Sequence, residues 1–189
     1  EKLKGKAELL LINTHPALGY VRPLLPSTVQ LGFLHIKPPQ PLADEALNKF
    51  IEASDKPIVY LNFGSSIKSS DLQEPYLRVF KEAFKVLPYN FIWKYEKEMA
   101  DKPDNVFVTP YTQQSDLLAN PKIKLFINHG GQLAIEEGIA RGVPMICMPF
   151  YGDQTLNSLR VNRMGVGIAV NIHVLTEDIL KLVITEIFT

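Results

Sequence analysis

"NHGGQLAIEEG", Asn128 to Gly138, is the stretch on which the reading of this chain turns. It follows the apolar run Ile123-Lys-Leu-Phe-Ile127 and precedes a second one, Val143-Pro-Met-Ile-Cys-Met148. Short continuous apolar runs bounded by glycine, asparagine and proline fit strands buried on both faces of a sheet. The segment between them, Gln132 to Ala140, reads as a helix ended by Gly142. A buried strand that ends in His129-Gly130-Gly131 forgoes the apolar side chains that stability alone would favour there. The stretch points to a ligand.

The same alternation runs outward in both directions. Upstream, the spacing predicts strands over Ile58–Ser65, Asn90–Glu96, Asn105–Pro110 and Lys122–Asn128. It predicts a helix over Asp71–Leu87 with Asp71 as its N-cap, and a short helix in "QQSDLLAN". Downstream come a strand at Val143–Pro149, a helix over Asp153–Met164, a strand at Val166–Val170 and a helix over Thr176–Phe188. Thr176 with Ile179 three residues on is only a weak capping box. Strands alternating with helices define an α/β fold, a parallel sheet with helices on both faces.

Before this regular part, "AELLLINTH" (Ala7 to His15) reads as a strand buried on both faces, and Thr28 to Leu34 as another. The stretch between them is broken by Pro16, Gly19, Pro23 and Pro26 and reads as loop. The three prolines of "KPPQP" (Lys37 to Pro41) favour a stiff, extended connection, followed by a helix over Leu42–Ala53. The domain reading is residues 1–36 as the end of one domain and the start of a linker, 37–55 as linker and helix, and 56–189 as the main domain. Glu1 is not an initiator Met, and the last residues break off inside a helical pattern. A fragment is expected.

Composition narrows the partners. The chain has 189 residues, of which 46% are apolar, enough for a packed core. Its 20 basic and 20 acidic residues cancel, without a Lys/Arg cluster, so nucleic acid and anionic lipid are not expected partners. One cysteine, Cys147, excludes an internal disulfide and a cysteine-rich metal site. No apolar run reaches the ~20 residues of a membrane span.

In an open parallel sheet, ligands collect beyond the carboxyl ends of the strands. Four loops there carry the candidate residues: Gly64-Ser65-Ser66, Pro110 to Gln114, Asn128 to Gly131, and Phe150 to Gln154. Gly130 and Gly131 let backbone approach a ligand and open a helix whose first amides suit a phosphate. His129 adds a side-chain donor, and Gly64 with Ser65 add amides and a hydroxyl. Glu137, an acceptor only, suits two neighbouring ribose hydroxyls, whereas Glu136 reads as a solvated helix residue. Asp153 and Gln154 suit sugar hydroxyls; the plain alternative is that Asp153 merely caps the next helix. Tyr111 offers a flat face for a base, although an aromatic after a strand is more often packing. A dinucleotide fingerprint is absent, because Gly64-Ser65-Ser66 lacks its spacing and "MGVGIAV" places its glycines before a strand. No P-loop and no metal cluster is present in the sequence.

The stretch from Pro110 to Asn157 resembles the signature of the UDP-glycosyltransferases of glycosyltransferase family 1. The animal pattern is Trp-x-Pro-Gln-x-Asp-Leu-Leu, Thr-His-Gly-Gly, a Glu eight residues after the His, Gly-Val/Ile-Pro-Met, and Asp-Gln-x-x-Asn. "YLNFGSSI" resembles the first strand and loop of the family's C-terminal domain. The segment from Leu11 to Leu42 resembles its interdomain joint, in wording most like insect members. This implies the C-terminal half of a two-domain GT-B enzyme with a Rossmann-like sheet.

By position, the resemblance places Tyr111 and Gln114 at uracil, Glu137 at the ribose, and His129, Gly131, Gly64 and Ser65 at the diphosphate. Asp153 and Gln154 fall at the donor sugar. Four departures stand out: Tyr111 for Trp, Gln113 for Pro, Leu133 for Asn, and Asn128 for Thr. The implied reaction is transfer of a hexose, taken as glucose, from a UDP-sugar to a hydroxyl of a small lipophilic acceptor, with inversion. The implied base and acceptor site belong to an N-terminal domain, so His15, His35 and His173 are given no catalytic role. No metal or other cofactor is expected. The alternatives are a non-catalytic nucleotide-sugar module and a GT-B enzyme with a different donor such as UDP-N-acetylglucosamine. The implied setting is the lumenal face of the endoplasmic reticulum membrane, in detoxification, with the fragment itself soluble. An apolar face bared by a missing domain would favour self-association.

Overall fold

The computed structural model describes residues 8–19 and 22–189. These fall into two compact units that divide between Lys37 and Pro38. The first holds two short parallel strands, β1 (Leu10–Ile12) and β2 (Thr28–Gln30), with Leu10 opposite Thr28. Ala7, the first residue of the strand expected there, lies outside the described residues. The expectation of burial on both faces is corrected: Leu9, Leu10 and Leu11 are all more than half exposed. A two-stranded ribbon offers no layer to cover either face.

The second unit begins with α1 (Glu45–Ala53), shorter than Leu42–Ala53 because Asp44 caps it, accepting from the Leu47 amide at 3.0 Å. Six strands follow: β3 (Ile58–Asn62), β4 (Asn90–Lys94), β5 (Val106–Thr109), β6 (Ile123–Asn128), β7 (Met145–Cys147) and β8 (Gly167–Ala169). Between and after them lie α2 (Glu74–Val86), α3 (Gln114–Leu118), α4 (Gln132–Ala140), α5 (Gln154–Arg163) and α6 (Glu177–Phe188). All strand pairings in the sheet are parallel, in the order β5-β4-β3-β6-β7-β8. Chain order reverses direction across the sheet between β3 and β6, so this is the doubly wound Rossmann arrangement with its switch point there.

Side-chain alternation assigns each face its helices. Val59 and Leu61 of β3, with Phe91 and Trp93 of β4, pack under Phe80 and Phe84 of α2 and Leu180 and Ile184 of α6. Ile58 and Tyr60 point the other way, toward Leu47 and Ile51 of α1, Leu117 of α3, Ala134 and Ile135 of α4 and Val161 of α5. Continuous apolar runs are what a sheet covered on both sides requires.

Two helix starts are informative. Asp71 does not cap α2; it ends a short 3-10 turn, Ser69–Asp71, and the helix begins at Glu74 with Pro75 in its first turn. Proline's fixed φ and missing amide hydrogen suit that position. Thr176 caps α6, its hydroxyl accepting from the Ile179 amide at 3.2 Å. No helix among the described residues is long and apolar enough to cross a membrane.

Candidate functional site

The switch point places Asn62, the last residue of β3, opposite Asn128, the last residue of β6. Each side-chain oxygen turns back on the chain: Asn62 Oδ1 accepts from the Gly64 amide and Asn128 Oδ1 from the Gly130 amide, both at 2.8 Å. Such turns carry the backbone sharply off the strand, and the glycines adopt φ values of 87° and 80°, where a Cβ is disfavoured. The Gly64 and Gly130 amides are thereby engaged. The Ser65 and Gly131 amides make no hydrogen bond among the described residues.

The carbonyls of the same two turns are also held. Lys94 Nζ donates to the Gly64 carbonyl at 2.9 Å and pairs with Glu96 at 2.8 Å. Asn157 Nδ2 donates to the Gly130 carbonyl at 3.1 Å and to Asp153 Oδ2 at 2.8 Å. Because a trans peptide directs its N–H opposite to its C=O, each pinned carbonyl fixes the direction of the next amide, that of Ser65 or Gly131. Neither anchor was expected from the sequence.

His129 lies between the two turns. A Cβ on Gly64 would come within 2.8 Å of its Cε1, and a Cβ on Gly131 within 2.4 Å of its Nε2. The imidazole fills room that only glycines leave. Its Nδ1 is buried and unpartnered. Burial holds the histidine below its usual pKa, with the charge of Asp153 pulling the other way, so the ring is neutral at pH 7. Gly64, His129, Gly131 and Asp153 are therefore gathered in one place, with Ser65 exposed beside them.

A second polar group lies under the neighbouring loop. Gln114 Nε2 donates to Glu137 Oε2, and Gln114 Oε1 accepts from Asn62 Nδ2 at 2.7 Å and from the Tyr60 hydroxyl at 3.3 Å. Asn62 Nδ2 also reaches the Tyr60 hydroxyl at 2.8 Å, and that hydroxyl bonds to Thr112. Burial pushes the Tyr60 phenol well above its usual range, opposed by its hydrogen bonds to Thr112 and Asn62, so it stays protonated. Gln114 and Glu137, from α3 and α4, thus meet.

The remaining candidates differ in availability. Tyr111 is 70% exposed, an open ring rather than a packed one. Its carbonyl takes the Thr109 hydroxyl at 2.9 Å. Asp153 precedes α5 without a side-chain capping bond to a backbone amide, and its Oδ2 accepts from Asn157 of that helix. Gln154 is 5% exposed, and its Oε1 accepts the Phe150 and Tyr151 amides at 2.9 and 3.1 Å. That side chain holds its own loop. Glu136 corrects the reading as a solvated residue: it is buried, and Gln132 Nε2 donates to it at 3.0 Å. Gln113, where proline was the resemblance's norm, ties its loop down through the Ala43 amide at 2.7 Å and Asp116 at 3.2 Å.

Comparison with known proteins shows the family. Residues 1–188 match the family described as "UDP-glucoronosyl and UDP-glucosyl transferase", and the chain belongs to that family. It is 36% identical over 170 residues to UDP-glucosyltransferase 2 of Dactylopius coccus, covering 90% of this chain and 33% of that protein. It is 38% identical over 189 residues to UDP-glucuronosyltransferase 3A2 of Homo sapiens, covering 96% of this chain and 35% of that protein. The chain thus spans about a third of the length of the curated relatives it matches. A solved structure described as UDP-glucose: anthocyanidin 3-O-glucosyltransferase in complex with UDP aligns with a TM-score of 0.74 at 20% identity, over 95% of this chain and 44% of that one. At that identity the likeness speaks for the fold, that of a GT-B glycosyltransferase.

Proposed function

We propose that this chain is the donor-binding half of a UDP-hexosyltransferase, one that moves glucose from UDP-glucose to a hydroxyl of a small lipophilic acceptor with inversion. The observation that carries the reading is the His129 ring seated against Gly64 and Gly131 at the sheet's switch point, where ligands collect in this fold. A diphosphate there would meet two unengaged amides, a neutral imidazole and the N-terminus of α4. Uracil would lie on Tyr111 beside Gln114, ribose hydroxyls would bond to Glu137, and the hexose would reach Asp153 and the amide nitrogen of Gln154.

The chemical contribution of such a half is electrostatic. As the acceptor oxygen bonds to the anomeric carbon, the bond to the β-phosphate oxygen breaks and negative charge gathers on departing UDP. Oriented amides and the helix terminus stabilise that charge without reorganising. These groups supply the compensation without a metal or other cofactor. The base that removes the acceptor proton, and the acceptor pocket, belong in this proposal to the other domain of the whole protein, which would lie on the lumenal face of the endoplasmic reticulum membrane. The chain alone would bind UDP weakly and transfer sugar little or not at all.

The names of the relatives, glucosyl- and glucuronosyltransferases among them, support a UDP-sugar donor and leave the hexose as our inference. Calorimetric titration with UDP, UDP-glucose, UDP-glucuronate and UDP-N-acetylglucosamine tests the reading. UDP is expected to bind at submillimolar to millimolar concentration, with UDP-glucose the best of the sugars. No binding of any of them at millimolar concentration would overturn it.

A further inference from the structure

The polar side chains beneath the site form a chain with only one possible direction. Glu137 is a carboxylate and can only accept, so Gln114 must present its NH2 to it. The Gln114 carbonyl then faces Asn62, which must present its own NH2, 2.7 Å away. The Asn62 carbonyl is left for the Gly64 amide at 2.8 Å. Each amide is thus set by its neighbour, from the turn after β3 to the carboxylate on α4. Tyr60 and Thr112 support the middle, and Asn62 is 7% exposed, shielded from water that would otherwise compete.

We infer that Asn62 is a positioning residue that touches no ligand itself and couples the Gly64-Ser65 turn to the orientation of Gln114 and Glu137. The inference rests on the donor-binding reading above and adds to it a link between the diphosphate end and the nucleoside end. A ligand that draws on one end finds the other already oriented, which lowers the ordering cost of binding.

Asn62→Ser separates this role from a structural one. A serine hydroxyl can still accept the Gly64 amide in a local turn, so the turn survives, but it is too short to reach Gln114. The test compares UDP binding to the wild-type chain, Asn62→Ser, Gln114→Ala and the double variant, with thermal melts as the folding control. Proton–nitrogen NMR of the Gln114 side-chain amide supplies a readout that needs no ligand. Losing one orienting hydrogen bond is expected to weaken UDP binding by roughly tenfold in Asn62→Ser. The Gln114 amide resonances are expected to shift in the ligand-free variant. The double variant should bind no more weakly than Gln114→Ala alone, because Asn62 acts through Gln114. Losses that multiply, or an Asn62→Ser chain that binds UDP as the wild type does, would overturn the assignment while leaving the donor site standing. A wild-type chain that does not bind UDP would remove both.

Discussion

Asn62 and Asn128 stand opposite one another at the ends of β3 and β6, and each folds its side-chain oxygen onto the amide of the glycine two residues later. Two neighbouring strands therefore leave the sheet through the same kind of turn. His129 occupies the space between them, against Gly64 on one side and Gly131 on the other.

The first consequence concerns Gly131. Its backbone φ of -67° suits any residue, so alanine there brings no backbone strain, but its Cβ would lie 2.4 Å from His129 Nε2. The imidazole must move. Gly131→Ala is expected to fold with little change in melting temperature and to lose affinity for UDP by roughly an order of magnitude, the size of one charge-assisted contact. Melting curves and a UDP titration check both halves of this expectation.

Gly130 behaves differently. Alanine at φ 80° carries roughly 1–2 kcal/mol of backbone strain. Its Cβ would also meet Ser158 Oγ at 2.3 Å and the Gln154 carbonyl at 2.8 Å. Gly142→Ala is the control, since Gly142 also has positive φ but nothing within 4 Å of its Cβ position. Denaturant unfolding should show Gly130→Ala clearly less stable than Gly142→Ala, the difference reporting the packing of the turn against α5.

The pH dependence follows from His129. Burial holds its pKa below the usual value, so between the folded and unfolded pKa the unfolded chain binds more protons. This contribution to stability is complete above about pH 6.5 and is lost as the pH falls below it. The melting temperature should drop between pH 7.5 and pH 5.5, and by less in His129→Asn. Equal drops in the two proteins would refute the assignment.

Cys147 is buried, and burial pushes its thiol up to about 12. Thiolate is the reactive form, so almost none is present at pH 8. Alkylation by iodoacetamide at that pH should be negligible in the folded chain and complete in denaturant, read by mass spectrometry.

The aromatic layer under α2 sets much of the domain's stability. Phe84 is fully buried and stacks on Phe91 with centroids 3.9 Å apart, and its ring meets Trp93 edge-on at 5.7 Å. Phe84→Ala should cost about 3–5 kcal/mol in equilibrium unfolding.

Much of this was legible in the sequence, for reasons that differ from element to element. The strands and helices of the second unit announce themselves because a sheet covered on both sides needs continuous apolar runs, as at Ile58–Asn62 and Ile123–Asn128. The glycines and His129 stood out because they interrupt such runs. Boundaries were less legible: Pro75 moved the start of α2 away from Asp71, and Asp44 shortened α1. Glu136 reads as solvated because helical spacing alone does not say which side chains of α4 will be buried. Asn62, Tyr60, Thr112 and Asn157 gave weak signals, since each has a partner in a distant part of the chain. A polar residue ending an apolar strand two places before a glycine was the available clue for Asn62, as it was for Asn128.

A crystal structure of the chain soaked with UDP tests the central claim most directly. The diphosphate oxygens are expected within hydrogen-bond distance of the Ser65 and Gly131 amides, with the ribose on Glu137 and uracil against Tyr111. Density for UDP anywhere else, or a diphosphate that leaves both amides untouched, would contradict the account.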